Sequence, residues 1–236
     1  MQGLGILISS QINKYVMSNR TKVFAPAGGN PSTKFLDWKS NDKQFAYYDK
    51  EQSKMIEVKL PLKFVFLDEL HTVKGWNDAS SSGVYANEVK FISKEPMSVK
   101  AFKGGEIAKG LYNEIKDKAK NAGGHYVKSI YIMLEDGSLA NIQLKGSAVQ
   151  GWGEFVNANK KALANQWIIV DKAIEGKKGA VKYTTPNFTL GDVLSPNESN
   201  DADSNFDTLE AYLKTYLTKV EEVSDILVEV EDDLPF

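Results

Sequence analysis

The sequence contains no cysteine and only two histidines. Without cysteine there are no disulfide bonds, no thiolate metal sites and no cysteine nucleophile, which is typical of proteins kept in a reducing compartment. His71 and His125 are far apart in the sequence, and neither has a neighbour at the spacing of a metal site. We therefore expect no bound metal, and we expect a cytoplasmic protein.

Long apolar runs and nucleotide-binding motifs are also missing. The short apolar run at residues 4–8 has no basic residues before it, which predicts neither a signal peptide nor a membrane span. Residues 103–106 include two glycines, but no Gly-Lys-Ser/Thr follows them, so no phosphate-binding loop is expected. Asp68 and Glu69 are adjacent, so on a strand they would face opposite sides, and a two-metal nuclease centre would need further carboxylates that the sequence does not identify. These absences predict a protein without a cofactor that is not an enzyme and does not enter a membrane.

Charge is divided unevenly along the chain. The net charge is -2, yet residues 191–236 contain about 13 acidic residues against Lys214 and Lys219, which leaves a net charge of about +9 on residues 1–190. A basic body with an acidic tail is favourable for a protein that binds a polyanion, because the tail can shield the binding groove when the polyanion is absent.

Alternating patterns predict several strands. Between residues 55 and 68 the even positions from 56 to 66 are apolar and the odd ones are mostly polar at first, which predicts one half-buried strand with an edge or a bulge at Pro61. Residues 130–134 and 140–144 alternate on either side of the turn Asp136-Gly137, which predicts a hairpin. Residues 167–174 and 180–190 are predicted to form two more strands joined by a basic turn.

Two helices are expected between these strands. Apolar residues recur every four positions from about residue 106 until Gly123 and Gly124, which predicts the first helix. The second is predicted to open at Ser147, with Gln150 completing a capping box. Strands interrupted by few helices indicate a mainly β (α+β) protein whose sheet is curled or closed into a barrel, rather than a doubly wound fold.

The composition changes near residue 195. Residues 195–205 have no aliphatic side chain larger than alanine, so we predict a flexible linker over 191–206. From residue 207 to the end, apolar residues at three- and four-residue spacing predict an amphipathic helix that docks on the body or on a neighbouring subunit, followed by an acidic tail. The residues that define this helix are Leu209, Tyr212, Leu213, Tyr216, Leu217, Val220 and Val223.

The chain ends in the residues EDDLPF. This ending resembles the C-terminal tip of bacterial and phage single-stranded DNA-binding proteins, which finish with acids, an aliphatic residue, proline and phenylalanine. Phe236 offers one partner pocket both an aromatic ring and the terminal carboxylate, while Pro235 limits the entropy lost on docking. Acidic residues before them can meet a basic rim. The expected tip consists of Glu231, Asp232, Asp233, Leu234, Pro235 and Phe236.

The resemblance implies a fold and a function for the rest of the chain. Residues 1–190 would form an oligonucleotide-binding (OB)-like barrel that binds single-stranded DNA without sequence preference, and the tip would recruit replication or recombination enzymes. The body is longer than the compact bacterial binding domain, and residues 191–206 lack the Gly/Gln/Pro-rich character of the bacterial linkers. These departures favour a phage or mobile-element relative in the host cytoplasm, and they leave a homo-oligomer open.

Single-strand binding needs phosphate-binding cations and exposed rings on which bases stack. Lysines and aromatic residues are interleaved in two stretches of the body, and the polar loop at residues 78–83 between them is expected to close over a bound strand. The candidate DNA-binding residues are Trp38, Lys39, Phe45, Tyr47, Tyr48, Lys54, Lys59, Lys63, Lys74, Trp76, Tyr85, Lys90, Lys100 and Lys103.

Other interpretations remain open at this point. Each aromatic side chain can instead belong to the core, and the alternation favours the core for Phe64 and Phe66. A strand-annealing protein would use the same groove. A protein-binding adaptor with no affinity for DNA would need only the tail.

Overall fold

A computed structural model describes the backbone of residues 29–231 and the side chains of residues 29–217. This part of the chain contains eleven strands and three helices, so the prediction of a mainly β protein with inserted helices is confirmed. The strands are β1 (Lys34–Lys39), β2 (Gln44–Asp49), β3 (Lys54–Val58), β4 (Leu62–Asn77), β5 (Ser82–Ala86), β6 (Met97–Ala101), β7 (Gly105–Gly110), β8 (Gly124–Leu134), β9 (Leu139–Lys145), β10 (Gln166–Lys178) and β11 (Val181–Val193). The helices are α1 (Tyr112–Asn121), α2 (Ser147–Asn159) and α3 (Pro196–Glu231).

The strands form one open mixed sheet. Its main order is β3-β2-β1-β9-β8-β4-β5-β6-β7, while β10 pairs with the first residues of β4 and with β11. The strands β1 and β9 run parallel, and the other pairs of strands in the described part are antiparallel. Residues separated by about a hundred positions therefore lie side by side, as Asp37 and Gln143 do.

The main core lies between one face of the sheet, here called the inner face, and α2. The predicted hairpin is confirmed, since β8 and β9 pair across a turn in which Gly137 has a φ of +76°. Strand alternation places Ile130 and Ile142 on the inner face, where they pack in the same cluster as Trp152 of α2. Residues 166–178 and 181–193 confirm the second predicted hairpin.

Pro61 divides the strand that was predicted over residues 55–68. The strand β3 ends at Val58, the Leu60-Pro61 peptide bond is cis, and β4 begins at Leu62. Because proline has no N–H, it cannot continue a ladder of hydrogen bonds, and the chain turns there between β3, which lies at an edge of the sheet as predicted, and β4.

Both predicted helices within the body exist, and the second begins at Ser147 as predicted. Residues 105–110 form β7, which pairs with β6, so α1 begins at Tyr112 rather than near residue 106. The predicted capping box of the second helix is wrong. Gly146 precedes the first turn of α2 with a φ of 57°, and no side chain caps this end.

The predicted linker over residues 191–206 is wrong. The strand β11 continues to Val193, and α3 begins at Pro196. Ser195 and Glu198 form a capping box, in which the Ser195 N–H donates to Glu198 at 2.7 Å and the Glu198 N–H donates to Ser195 Oγ at 3.4 Å. Proline at the first helical position suits this start. A polar segment is helical here because its end is capped and because Ala202 is buried against the sheet.

Helix α3 packs on the face of the sheet opposite α2, here called the outer face. Leu209 and Leu213 are buried against Leu70 and Tyr131, which confirms docking of the predicted amphipathic helix on the body. Docking begins earlier than the sequence indicates, since Ala202 already contacts Met133 and its neighbours. No helix in the described part of the chain has both the length and the apolar composition that a membrane crossing requires.

Candidate nucleic-acid interface

Beyond helix α3, the outer face of the sheet carries a row of polar and aromatic side chains. Lys74 lies opposite His125 on β8, and on its other side it lies opposite Tyr85 of β5. Lys100 of β6 lies opposite Tyr85 in turn. Directly opposed residues share a face, so these four side chains form one row across four strands. No pattern in the sequence indicated that His125 belongs with the other three.

Three adjoining hollows turn this part of the outer face into one groove. The largest, about 670 Å³, is lined by Lys74, Trp76 and His125 among others. A second hollow of about 400 Å³ shares Asp37, His125, Gln143 and Lys145 with the first, and a third of about 370 Å³ shares Trp76 and Val84 with it. We call the combined surface the sheet groove. Its polar and aromatic walls are Asp37, Trp38, Lys39, Ser40, Lys74, Trp76, Asp78, Tyr85, Phe102, Lys103, His125, Gln143, Lys145, Ser147, Tyr183 and Thr184.

The sheet groove is positively charged. Four lysines and two aspartates line it, and Asp37 lies near two of these lysines, 3.5 Å from Lys145 and 3.9 Å from Lys39. Burial lowers the pKa of Lys74 below its usual value, although Glu88 and Asp37 act in the opposite direction. Because a bound phosphate would compensate for this lost hydration, Lys74 is well suited to meet an anion.

Exposed aromatic rings line one end of the sheet groove. Trp76 is 57% exposed, Tyr85 is 45% exposed and Phe102 is 77% exposed. Rings of this size are normally buried, so a group of them beside lysines indicates a surface for contact with a ligand.

Two glycines determine where the ring of Trp76 lies. The Trp76 N–H donates to the Gly123 carbonyl at 3.2 Å, and a side chain at Gly75 would come within 1.9 Å of that carbonyl oxygen. Gly123 itself has a φ of +84°, which favours glycine. The end of β4 is thus held against the start of β8, and Trp76 projects into the sheet groove.

The polar loop at residues 78–83 does not match its prediction. The Ser80 N–H donates to Asn77 Oδ1 at 2.8 Å, the Ser81 N–H donates to the Asp78 carbonyl at 3.2 Å, and Ser82 is buried within β5. These bonds form a tight turn between β4 and β5. The segment is a hydrogen-bonded turn in the wall of the groove beside Trp76 rather than an open loop.

Three of the predicted binding residues belong mainly to the core. Phe45 is fully buried on the inner face, so its assignment to DNA contact is wrong. Tyr47 packs against the same cluster because it lies on the same side of β2. Trp38 forms an edge contact with Phe45 and donates its indole N–H to the Thr184 carbonyl at 2.9 Å, so only its rim borders the sheet groove.

Two predicted lysines have partners elsewhere. Lys63 lies 3.5 Å from Glu135 and over the ring of Trp167, which packs beside helix α3 on the outer face. Lys90 pairs with Asp68 beside helix α3. Neither lysine lines the sheet groove.

The remaining predicted residues divide into two groups. Tyr48, Lys54 and Lys59 are exposed at or next to β2 and β3, at the edge of the sheet, and none of them lines the groove. The structure brings the other six together on or beside the groove. They are Lys39, Lys74, Trp76, Tyr85, Lys100 and Lys103.

Sequence reasoning missed Gln143 and Lys145. Both lie on the polar side of the alternation in β9, whose apolar side was assigned to the core. That alternation indicates that both residues lie on the face of β9 opposite the core. The hairpin alone does not show which other residues form a surface with them there. Parallel pairing with β1 places Gln143 beside Asp37.

In the described residues, no group of three or more histidine, aspartate or glutamate side chains lies close enough to hold a metal ion. The predicted tip at residues 231–236 lies outside the residues whose side chains are described. No protein-family model, no curated protein and no solved structure matches this chain.

Proposed function

We propose that this chain is a non-catalytic protein that binds single-stranded DNA during replication or recombination. The observation that carries this proposal is the sheet groove, in which exposed aromatic rings and lysines follow one another across the strands. Trp76, Tyr85 and Phe102 supply ring faces, and Lys74, Lys103 and Lys145 supply cations for phosphates.

The spacing of the groove suits an unpaired strand. Neighbouring strands of a sheet lie about 4.8 Å apart, so side chains on successive strands can meet successive parts of one nucleic-acid strand. Bases that stack on aromatic rings contribute roughly 1 to 3 kcal/mol each, without regard to sequence. A duplex hides these base faces, so exposed rings favour single strands.

The fold also supports an OB-like interpretation of the body. Strands β1, β9, β8, β4, β10 and β11 are successive neighbours in the sheet, and the two ends of this series meet where Trp38 of β1 and Ser40 next to it bond to Thr184 of β11. In a five-stranded, partly open OB barrel, the second and third strands and the loops after the first and fourth strands bind oligonucleotides. The equivalents here are β8, β9, residues 78–123 and the β10–β11 turn. The sheet groove lies over β8 and β9.

The proposed test is tryptophan fluorescence during titration with polythymidine, at low and moderate salt. Trp152 and Trp167 are buried, so Trp76 is the tryptophan that a bound base would quench most. We expect quenching by the single strand that weakens with salt, and little response to a duplex. A protein that binds no nucleic acid by any readout would overturn the proposal and favour the protein-binding adaptor.

We further propose that the C-terminal tip recruits partner enzymes, on the basis of the sequence EDDLPF. Removing Phe236 alone should leave DNA affinity unchanged and abolish partner binding. A truncated protein that still binds replication enzymes equally well would contradict this role. Acceleration of pairing between complementary strands would identify the annealing variant of the proposal.

A further inference from the structure

Gln143 stands out at the floor of the sheet groove. Its side chain is only 6% exposed, its Nε2 is buried, and this nitrogen has no hydrogen-bond partner among the described residues. Buried amide groups in folded proteins nearly always have partners. Gln143 lines both of the larger hollows, so this residue borders the space that a ligand in the groove would occupy.

The neighbouring side-chain amide on this face, that of Asn141, has hydrogen-bond partners within the protein. Asn141, two positions away on the same side of β9, exchanges two hydrogen bonds with Ser129 at 2.8 and 3.1 Å. Ser129 and Asp37 are the residues directly opposite Gln143, but Ser129 bonds to Asn141 and Asp37 lies by Lys145. The amide of Asn141 is therefore hydrogen-bonded within the protein, whereas the Nε2–H of Gln143 has no partner among the described residues.

We propose that Gln143 forms the floor of a nucleobase subsite that binds the lactam edge of thymine, an edge that uracil and guanine share. This inference rests on the proposed function of the groove. A carboxamide has an N–H donor beside a carbonyl acceptor, and a lactam has a carbonyl beside an N–H. The Nε2–H of Gln143 donates to the base carbonyl, and its Oε1 accepts the N–H of the base ring.

The lysines around Gln143 explain why a lactam is preferred. Lys74 and Lys145 line the same hollow, and Lys145 lies two positions along β9 on the same face. A base carbonyl can accept a hydrogen bond from the Gln143 amide and another from a lysine ammonium group at the same time. Cytosine and adenine carry an amino group in place of this carbonyl. Its N–H donors would face the ammonium groups, which are also donors, so no hydrogen bond would form between them.

The test compares the affinities of equal-length thymine and cytosine oligomers for three proteins. These are the wild type, Gln143→Leu and the matched control Gln150→Leu, which changes an exposed residue of α2 outside the groove. One good base contact corresponds to about a fivefold or greater preference. We expect the wild type and the control to prefer thymine by that factor, and Gln143→Leu to bind both oligomers within about twofold.

A second measurement does not depend on how the variant folds. Replacing thymine by 3-methylthymine removes the ring N–H, and this should reduce wild-type affinity to about that of the cytosine oligomer. A thymine preference that survives in Gln143→Leu, or that survives methylation, overturns the subsite while leaving the proposed function intact. A wild-type protein that binds none of the oligomers overturns the proposed function and the subsite together.

Discussion

Trp152 donates its indole N–H to a carboxylate oxygen of Glu69 at 2.8 Å, within the core that joins α2 to the sheet. The other oxygen of Glu69 accepts from Lys128 at 2.6 Å. Burial by itself would raise the pKa of Glu69, but the hydrogen bonds from Lys128 and Trp152 outweigh it and hold this pKa below its usual value. Glu69 thus links Trp152 of α2 to Lys128 of β8.

Glu69→Gln should lower the free energy of unfolding by about 1 to 3 kcal/mol near neutral pH, because two partly buried hydrogen bonds to a charged acceptor are weakened. Since folding lowers the pKa of Glu69, the stability that its carboxylate contributes is present above the usual value of 4.5 and is lost as pH falls through the folded-state pKa. Urea unfolding of wild type and variant should therefore converge towards low pH. The exposed Glu154→Gln serves as the control, and a difference that stays constant with pH would contradict this role.

Trp76→Ala should weaken binding of polythymidine by about fivefold to a hundredfold, as expected for the loss of one stacking platform. Because the Trp76 side chain is exposed, this substitution should change the thermal stability of the protein little. Trp76→Phe keeps a ring and should keep most of the affinity while losing most of the quenching. Phe91→Ala removes an equally exposed ring that does not line the groove, and anisotropy with a labelled oligomer should show no loss. Equal affinity for Trp76→Ala and wild type would exclude stacking at this position.

Replacing both Lys74 and Lys145 by glutamine should reduce the salt dependence of binding. Each phosphate contact on a single strand contributes about 0.7 to the slope of log affinity against log salt, so the slope should fall by about 1.4. Lys116→Gln with Lys118→Gln removes the same charge from the exposed side of α1 and should leave the slope unchanged. Identical slopes for the two double variants would mean that phosphates do not contact this part of the sheet.

Two truncations of the chain should have different effects. A chain that ends at Leu190 lacks the helix that covers Tyr131 and Met133, so it should aggregate or unfold at a lower denaturant concentration. A chain that ends at Leu217 loses only residues 218–236, with a net charge of about -6, while Leu209 and Leu213 remain packed. At low salt this protein should bind polythymidine more tightly, because an intramolecular competitor is gone. Unchanged affinity in anisotropy titrations would argue against shielding by the tail.

Local patterns in the sequence were sufficient for several elements. The hairpin of β8 and β9 follows from its alternation and its Asp-Gly turn, and the packing of α3 follows from the spacing of Leu209 and Leu213. In both cases the residues that define the element are close in sequence, so their periodicity reports the structure directly. The start of α3 was also encoded locally by Ser195 and Glu198, but the polar composition of the following residues concealed it.

The tertiary structure alone decided which side chains share a surface. Alternation gives a strand two faces, but it does not tell which face a distant helix will cover. Phe45 and Tyr48 lie on one strand with similar neighbours, and only the position of the core separates the buried ring from the exposed one. Asp37 and Gln143 meet because β1 pairs in parallel with β9. The sequence by itself determined the elements and the charge of the body, whereas contacts between distant segments determined the groove.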